Sequence, residues 1–246
     1  MFFSTHVYLT KLIEQIAAMI AINESVELAK MRFKVKGILL DLDGTIVDSK
    51  EAYMEAVKTA FAALGQKVET FEVAMEIPKR LEQNLPINDL VKGMDTQKFL
   101  ELYLNAYYKA TATKSKPMPK IEDTLKKLSK KAALALITMR YVSKENVIKE
   151  LENFGLAKYF QHVITALNTH TPKPSPEALI ECAKKFGVQP CECLVVGDSV
   201  ADVKAGKNAG AKTVAVLSGI FSHKELEREK PDLILENINQ LPDFLE

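Results

Sequence analysis

The sequence has few cysteines and no excess of charge of either sign. Its 246 residues include three cysteines, an odd number, so a disulfide framework is not expected and a reducing compartment, the cytoplasm, is predicted. Lys and Arg together number 33, against 32 for Asp and Glu, and the formal net charge of +1 excludes a general attraction to polyanions. We therefore predict no nucleic-acid partner.

Long hydrophobic runs are also lacking. No stretch reaches the roughly 18 uninterrupted apolar residues that span a bilayer. The best candidate, residues 12–22, contains Glu14 and Gln15, and it lacks the basic leader and small-residue cleavage site of a signal peptide. Hydrophobic residues make up 47% of the chain and charged residues 26%, which is ordinary globular composition. No membrane partner is expected.

The first 31 residues differ from the rest of the chain. Apolar residues recur at helical spacing between Leu9 and Val26, which predicts an N-terminal extension, residues 1–31, formed by an amphipathic helix. Its apolar face could dock on the rest of the chain, form a homodimer or touch a membrane, and docking is favoured. A translation start at Met31 is left open.

After Met31, short apolar runs alternate with helical patterns. The runs predict strands at 35–41, 133–138, 162–167, 193–197, 213–217 and 233–235, and helical patterns between the later strands cover about 121–130, 143–153, 176–186, 200–209 and 223–228. This alternation is typical of βαβ units. We therefore predict an α/β fold with a doubly wound parallel sheet and helices on both faces.

The interval between the first two predicted strands contains only helical patterns, at 51–64, 71–81 and 96–112, followed by a linker at 114–119. This interval is too long for a loop and too short to bury a large core of its own. We predict a Rossmann-like core of residues 32–49 and 120–246, interrupted by a helical cap at residues 50–119. The cap offers a second surface for a homodimer.

Acidic residues follow two of the predicted strands. Asp41 and Asp43 come after the first strand, and residues two apart on an extended chain point the same way, about 7 Å apart. Asp198 follows the fourth, and strand ends of a doubly wound sheet meet near the point where the strand order reverses. Because unpaired buried charge is unfavourable, three converging carboxylates predict a hard cation, Mg²⁺, with waters and a substrate phosphate as further ligands.

Two side chains are candidates for binding that phosphate. Lys173 lies in a loop where Thr171, Lys173 and Ser175 each precede a proline, so the loop is stiff and presents the amine as a point charge. Thr138 ends the second strand, and its place among the acids makes it a candidate phosphate donor.

Two further acids resemble parts of helix caps. Asp48, followed by Glu51, is interpreted as the first residue of a capping box. Asp202 lies three residues after Ser199 and has two interpretations, which stay open. It could cap its own helix, and it could also steady Lys173 or the waters of the metal.

Together, these motifs resemble the haloacid dehalogenase-like (HAD) superfamily, in its phosphoglycolate-phosphatase-like branch, from Met31 to the C-terminus. The run Asp41-Leu42-Asp43-Gly44-Thr45 matches the first family motif, Thr138 the second, Lys173 the third, and Gly197-Asp198-Ser199 with Asp202 the fourth. The resemblance implies a phosphoric monoester hydrolase that acts on a small phosphorylated metabolite. A dehalogenase is disfavoured, since dehalogenases of this superfamily lack the second aspartate.

The resemblance also implies a role for each matched residue. Asp41 would be the nucleophile that forms an aspartyl-phosphate, and Asp43 would be the general acid and base. Mg²⁺ would be held by the Asp41 carboxylate, the Asp43 backbone carbonyl and Asp198. Thr138 and Lys173 would bind the phosphoryl oxygens, and the helical cap would close over the substrate.

Some features depart from the family pattern or leave alternatives open. Met139 and Arg140 follow Thr138 where related proteins often carry a small polar residue, and the N-terminal extension has no usual counterpart. A phosphoglucomutase-like phosphotransferase acting on sugar phosphates needs the same core residues and stays an alternative, and a non-catalytic binding protein is a weaker one. Lys79 and Arg80 in the cap are candidates for a substrate clamp, although a solvated helix face is favoured. Phosphoglycolate, a sugar phosphate, a nucleotide and pyrophosphate all stay open as substrates.

Overall fold

In the computed structural model, the described part of the chain comprises residues 32–68 and 70–246. The predicted N-terminal helix and any dimer contact through it lie outside these residues. None of the helices in the described ranges is long and apolar enough to cross a membrane.

A parallel sheet forms the centre of the molecule. The strands are β1 (Gly37–Leu40), β2 (Val47–Asp48), β3 (Lys116–Pro117), β4 (Ala133–Thr138), β5 (His162–Thr165), β6 (Cys193–Gly197), β7 (Lys212–Val216) and β8 (Leu233–Leu235). Six of them pair in parallel in the order β5-β4-β1-β6-β7-β8. The doubly wound α/β class predicted from the sequence is therefore confirmed. The strand predicted at 162–167 ends earlier, because Ala166–Asn168 turns into a 3₁₀ helix.

Helices flank this sheet and fill the interval after β1. They are α1 (Lys50–Ala63), α2 (Phe71–Glu82), α3 (Thr96–Lys114), α4 (Ile121–Leu128), α5 (Lys144–Asn153), α6 (Glu177–Phe186), α7 (Val200–Ala209) and α8 (His223–Arg228), with 3₁₀ turns at Ala157–Tyr159, Ala166–Asn168, Pro190–Glu192 and Ile238–Phe244.

Strand β1 is apolar at successive positions because it is buried on both faces. Ile38, Leu39 and Leu40 are each exposed by at most 1%. Ile38 and Leu40 belong to the hydrophobic cluster on one face of the sheet, and Leu39 belongs to the cluster on the other. Helices cover both faces of a parallel sheet, so its central strands are continuous apolar runs rather than alternating ones.

The reversal of strand order lies beside β1. From β1 the chain continues to β4 and β5 on one side, then returns to the other side of β1 for β6, β7 and β8. Leu40 pairs with Leu136 of β4 and with Val196 of β6, so the carboxyl ends of these three strands lie side by side. In open α/β sheets this is the edge where ligands bind.

Helices α1, α2 and α3 pack on one another through a hydrophobic cluster of their own. Along α3, the rings of Phe99, Tyr103 and Tyr107 stack at centroid distances of 6.4 and 6.1 Å, since residues four apart share a helix face. This helical unit corresponds to the predicted cap. The division of the chain into domains at residues 50 and 119 stays a prediction.

The segment predicted as a linker at 114–119 contains regular secondary structure. Helix α3 extends to Lys114, and β3 pairs with β2 in an antiparallel ribbon. The absence of strands between residues 50 and 119 was therefore wrongly predicted. Two paired residues are too few to show a period, and Pro117 argues against a strand in the sequence.

The capping box predicted at Asp48 is also wrong. Ser49 occupies the N-cap of α1 and makes no side-chain cap bond. Asp48 Oδ1 accepts a hydrogen bond from the backbone N–H of Lys50 at 3.1 Å. Glu51 instead pairs with two lysines of the neighbouring segment, Lys114 at 2.9 Å and Lys116 at 3.2 Å, so it does not return to the N-cap.

Candidate active site

The loop after β1 turns sharply at the switch point of the sheet. Asp41 N–H donates to the carbonyl of Val196 at 2.9 Å, so the first acid is held by the sheet itself. Gly44 has a φ of +81°, and a Cβ at this position would collide with the Asp198 carboxylate. Glycine is therefore required both for the turn and for the close approach of Asp198.

Three buried carboxylates meet at this edge. Asp41, Asp198 and Asp202 each offer an oxygen that lies within 4.8 Å of the other two. Burial raises the pKa of Asp41 to about 7. The charge of Lys173 opposes this shift, and the charges of Asp202 and Asp43 add to it. Burial and the charge of Asp41 also raise the pKa of Asp198 well above its usual range. The three carboxyl groups therefore resist simultaneous ionisation unless a metal cation binds among them.

Lys173 lies within this acidic cluster and is itself buried. Its Nζ is 2.6 Å from Asp41 Oδ1, 2.6 Å from Asp202 Oδ1 and 3.0 Å from the carbonyl of Ile137. Burial opposes its charged form, but the charges of Asp202 and Asp41 prevail and raise the pKa of Lys173. One positive charge therefore faces three carboxylates.

This donor set fits a hard divalent cation. The side chains are oxygen donors with an excess of negative charge, the combination that Mg²⁺ takes in proteins. The backbone at Gly44 and at Gly219 packs directly against the Asp198 carboxylate, since a Cβ at either position would overlap this group. Asp41 and Asp198, both predicted as ligands, are brought together here.

Both predicted interpretations of Asp202 are seen in the structure. Its Oδ2 accepts hydrogen bonds from the N–H of Ser199 at 3.2 Å and from the Ser199 hydroxyl at 2.6 Å, while its own N–H donates to the Ser199 oxygen. This is a capping box at the start of α7. The other oxygen of Asp202 binds Lys173. One carboxylate thus caps a helix and positions the lysine.

The side chain of Asp43 is directed at a residue that the sequence analysis did not assign to the site. Arg140 Nε and Nη2 donate to its two oxygens at 2.8 and 2.6 Å, and the Ser49 hydroxyl donates to it as well. Although burial opposes ionisation, the Arg140 guanidinium and these hydrogen bonds lower the pKa of Asp43. Arg140 also forms a buried ion pair with Glu150. The one sequence signal for Arg140 was its unusual place two residues after Thr138.

Thr138 ends β4 as predicted and is buried. Its Oγ1 accepts the backbone N–H of Arg140 at 3.1 Å, which fixes the turn that carries Met139 and Arg140. Thr138, Asp41 and Asp43 all line one cavity.

That cavity has a volume of about 330 Å³ and lies between the sheet edge and the helical unit. The helical unit contributes Tyr53, Tyr103, Tyr107 and Glu82 to its wall, none of which the sequence analysis assigned to the site. The Tyr53 and Tyr107 rings stack at a centroid distance of 5.1 Å.

Lys79 and Arg80, the predicted candidates for a clamp, do not line this cavity. Lys79 pairs with Glu225 at 3.0 Å. Arg80 pairs with Glu76 at 3.0 Å and with Asp89 at 2.5 Å. Both side chains are held in ion pairs and are only 16% and 24% exposed, so the solvated helix face that the sequence favoured is not what the structure shows.

A family model for haloacid dehalogenase-like hydrolases matches residues 38–216, well over half of the chain. The matched range contains every candidate site residue from Asp41 to Asp202. The chain therefore belongs to the haloacid dehalogenase-like hydrolase family.

Individual relatives agree with this assignment. The phosphoglycolate phosphatase of Escherichia coli (strain K12) is 29% identical over 231 residues, which cover 84% of this chain and 91% of that protein. A Clostridium perfringens protein provisionally named pyrophosphatase PpaX is 29% identical over 220 residues, with 86% and 98% covered. The solved structure of a haloacid dehalogenase-like hydrolase from Streptococcus pneumoniae matches with a TM-score of 0.69 at 19% identity, over 85% of this chain and 97% of that one, and supports the fold. The predicted family branch, the Rossmann-like HAD core and the enzyme class, a phosphatase, are confirmed.

Proposed function

We propose that this chain is a Mg²⁺-dependent phosphatase that hydrolyses a small phosphomonoester through an aspartyl-phosphate on Asp41. The observation that carries the proposal is the buried cluster of Asp41, Asp198 and Asp202 around Lys173, with Asp41 opening into the 330 Å³ cavity. Buried acids at this density fit a site that is completed by a cation and a phosphate.

The Asp41 and Asp198 carboxylates and the Asp43 backbone carbonyl would hold the metal. When bound, Mg²⁺ neutralises negative charge on the phosphoryl oxygens and on the surrounding carboxylates.

In the first step, an Asp41 oxygen attacks phosphorus while the ester bond to the leaving alkoxide breaks. Lys173, 2.6 Å from Asp41, orients this carboxylate and, with Thr138, stabilises charge on the phosphoryl oxygens. Asp43 gives the alkoxide a proton. The product of the step is a free alcohol and a phosphorylated Asp41.

In the second step, Asp43 takes a proton from a water molecule, which attacks the phosphorus of the intermediate. Phosphate leaves, Asp41 is regenerated and Asp43 is again protonated. Arg140 holds Asp43 in its ionised form, so Asp43 must give up part of this contact and take a proton from solvent before it can donate one to the alkoxide. The helical unit over the cavity excludes bulk water.

The test measures inorganic phosphate released from a panel of phosphomonoesters by the purified full chain with Mg²⁺. We expect turnover that EDTA stops and that Asp41→Asn lowers by at least about 10⁴-fold. The matched control is Asp48→Asn, an exposed aspartate seven residues away. Activity that survives in Asp41→Asn would refute the covalent route, and indifference to EDTA would refute the metal. Transfer between hexose phosphate isomers without net phosphate release would instead support the phosphoglucomutase-like alternative.

A further inference from the structure

The wall of the cavity that faces the acidic cluster has an unusual charge distribution for a site that would bind an anionic leaving group. The helical unit supplies tyrosine rings, apolar side chains and one carboxylate, Glu82. Among the described residues that line the cavity, Arg140 is the one cationic side chain. Lys79 and Arg80, close in sequence to Glu82, are held in ion pairs outside it.

Each of the three guanidinium nitrogens of Arg140 binds an acidic side chain of the protein. Its Nε and Nη2 bind both oxygens of Asp43, and its Nη1 binds Glu150. The guanidinium is buried, with 5% of the residue exposed, and its charge is balanced by these two acids. A carboxylate on the leaving group would have to displace one of them.

Glu82 lies at the last position of α2 and lines the cavity. Its Oε1 accepts a hydrogen bond from the Tyr53 hydroxyl at 3.2 Å. Burial, together with the charges of Asp41 and Asp202, raises the pKa of Glu82 to about 8. The carboxyl end of a helix adds further partial negative charge at this place.

We propose that Glu82 determines the substrate class of the phosphatase reaction proposed above: it rejects phosphomonoesters with an anionic leaving group and selects those whose leaving alcohol is uncharged or carries an ammonium group. Hydroxyl and ammonium groups donate hydrogen bonds to a carboxylate, and the neighbouring tyrosine rings accept apolar or cationic groups on their faces. Above about pH 8, where Glu82 is ionised, a second negative charge beyond the phosphate meets repulsion, and Arg140, the cationic side chain of the cavity wall, is already paired with two acids. The proposal rests on the proposed function, and it separates this chain from phosphoglycolate, the substrate in the name of its E. coli relative.

The experiment compares three esters that share a phosphate and a CH₂ group and differ in charge at the next position. They are 2-phosphoglycolate, ethylene glycol monophosphate and O-phosphoethanolamine. The value of kcat/KM is measured at pH 9, where the Glu82 carboxyl is ionised, for the wild type, for Glu82→Gln and for the control Glu76→Gln. Glu76 lies on the same helix outside this cavity and pairs with Arg80. Thermal denaturation checks that each variant is folded.

We expect the wild type to favour the better of the two esters without a carboxylate over 2-phosphoglycolate by about tenfold or more, as repulsion in a partly buried site implies. Glu82→Gln should reduce this ratio at least about fivefold, chiefly through better use of 2-phosphoglycolate, and Glu76→Gln should leave it unchanged. A wild-type preference for 2-phosphoglycolate, or a ratio that Glu82→Gln does not alter, would overturn the proposal.

Hydrolysis of p-nitrophenyl phosphate distinguishes failure of the Glu82 proposal from failure of the proposed function. If the chain with Mg²⁺ cleaves this ester but neither of the two esters without a carboxylate, the Glu82 proposal fails and the phosphatase proposal stands. If it releases phosphate from none of the four esters, the proposed function itself fails.

Discussion

At the carboxyl edge of the sheet, two buried cationic side chains each lie between two carboxylates. Lys173 joins Asp41 to Asp202, and Arg140 joins Asp43 to Glu150. Removing the shared partner of such a buried arrangement leaves charges that water does not solvate, which is far more costly than breaking a surface pair.

Arg140→Met should therefore destabilise the protein strongly. We expect the free energy of unfolding to fall by about 3 kcal/mol, because Asp43 and Glu150 lose their cation in a buried place. Lys98→Met is the control, since Lys98 pairs with Glu101 at 3.0 Å while about half of its side chain is exposed, and it should change stability little. Urea denaturation measures both variants. Equal effects would show that the Arg140 pairs are not a major source of stability.

At the residue scale, the sequence predicted which residues lie at the site better than it predicted which side chains they contact. Asp41, Asp43, Thr138 and Asp198 could be placed because each follows a recognisable strand, and strand ends meet at one edge. Arg140 was noticed and not assigned, because its partner Asp43 is 97 positions away and nothing local encodes the contact. The chemical roles of these residues stay predictions.

Glu82 could not be found by the same reasoning. It belongs to the helical unit, where apolar periodicity predicts which face is buried but not which side chain reaches another unit of the fold.

Among the elements, the turn after β1 controls the geometry of the site most closely. Gly44 combines a left-handed backbone with contact to Asp198, whereas Gly65, after α1, has a similar φ of +72° and open space around its Cα. Alanine substitutions at the two glycines therefore separate the free-energy cost of the backbone conformation from the effect of steric crowding by the added Cβ.

Both Gly44→Ala and Gly65→Ala should lose about 1 kcal/mol or somewhat more through the backbone, since alanine disfavours this conformation. Only Gly44→Ala should also lower phosphatase activity, by more than about tenfold, because its Cβ displaces the Asp198 carboxylate. Unfolding in urea and phosphate release over a range of Mg²⁺ concentrations measure the two effects. Wild-type activity in Gly44→Ala would contradict the role given to this turn.

Element types were predictable where burial dictates them. The six sheet strands are apolar runs because they are covered on both faces, and their helices carry the matching period. The β2–β3 ribbon and the end of β5 were missed, because a two-residue pairing and a 3₁₀ turn depend on contacts between distant segments rather than on a local pattern.

At the scale of the whole molecule, the buried carboxyl groups around the cavity make the stability of the fold depend on pH and on metal binding. The pKa of Asp41 is raised to about 7 and that of Glu82 to about 8, both above the values near 4 of the unfolded chain. Between about pH 4 and 8 the folded protein thus binds more protons than the unfolded chain, and these groups make stability fall as pH rises through that window.

In EDTA, we therefore expect these groups to lower Tm as pH is raised from 5.5 to 8. Mg²⁺ takes the place of the protons, so the rise in Tm that it produces should be larger at pH 8 than at pH 5.5. Differential scanning calorimetry measures both trends, and Asp198→Asn, which removes one carboxylate, should reduce the pH slope and the metal effect together. A metal effect that is equal at the two pH values would contradict this linkage.

The alternation of elements predicted a doubly wound parallel sheet but not its strand order, and the fold class and family are confirmed. Dimerisation through the cap stays a prediction. Substrate identity depends on how the helical unit closes on the sheet edge, and this relation between distant segments has no signature in the local pattern of residues.

The most direct test of the covalent, metal-assisted route is a crystal structure of the full chain with Mg²⁺ and beryllium fluoride, a mimic of an acyl phosphate. The account predicts beryllium bonded to an Asp41 carboxylate oxygen, fluorides in contact with Lys173 and Thr138, and the metal bound by Asp41 and Asp198. Beryllium fluoride bound elsewhere, or a saturated metal site that leaves Asp41 unmodified and Asp198 unliganded, would contradict it.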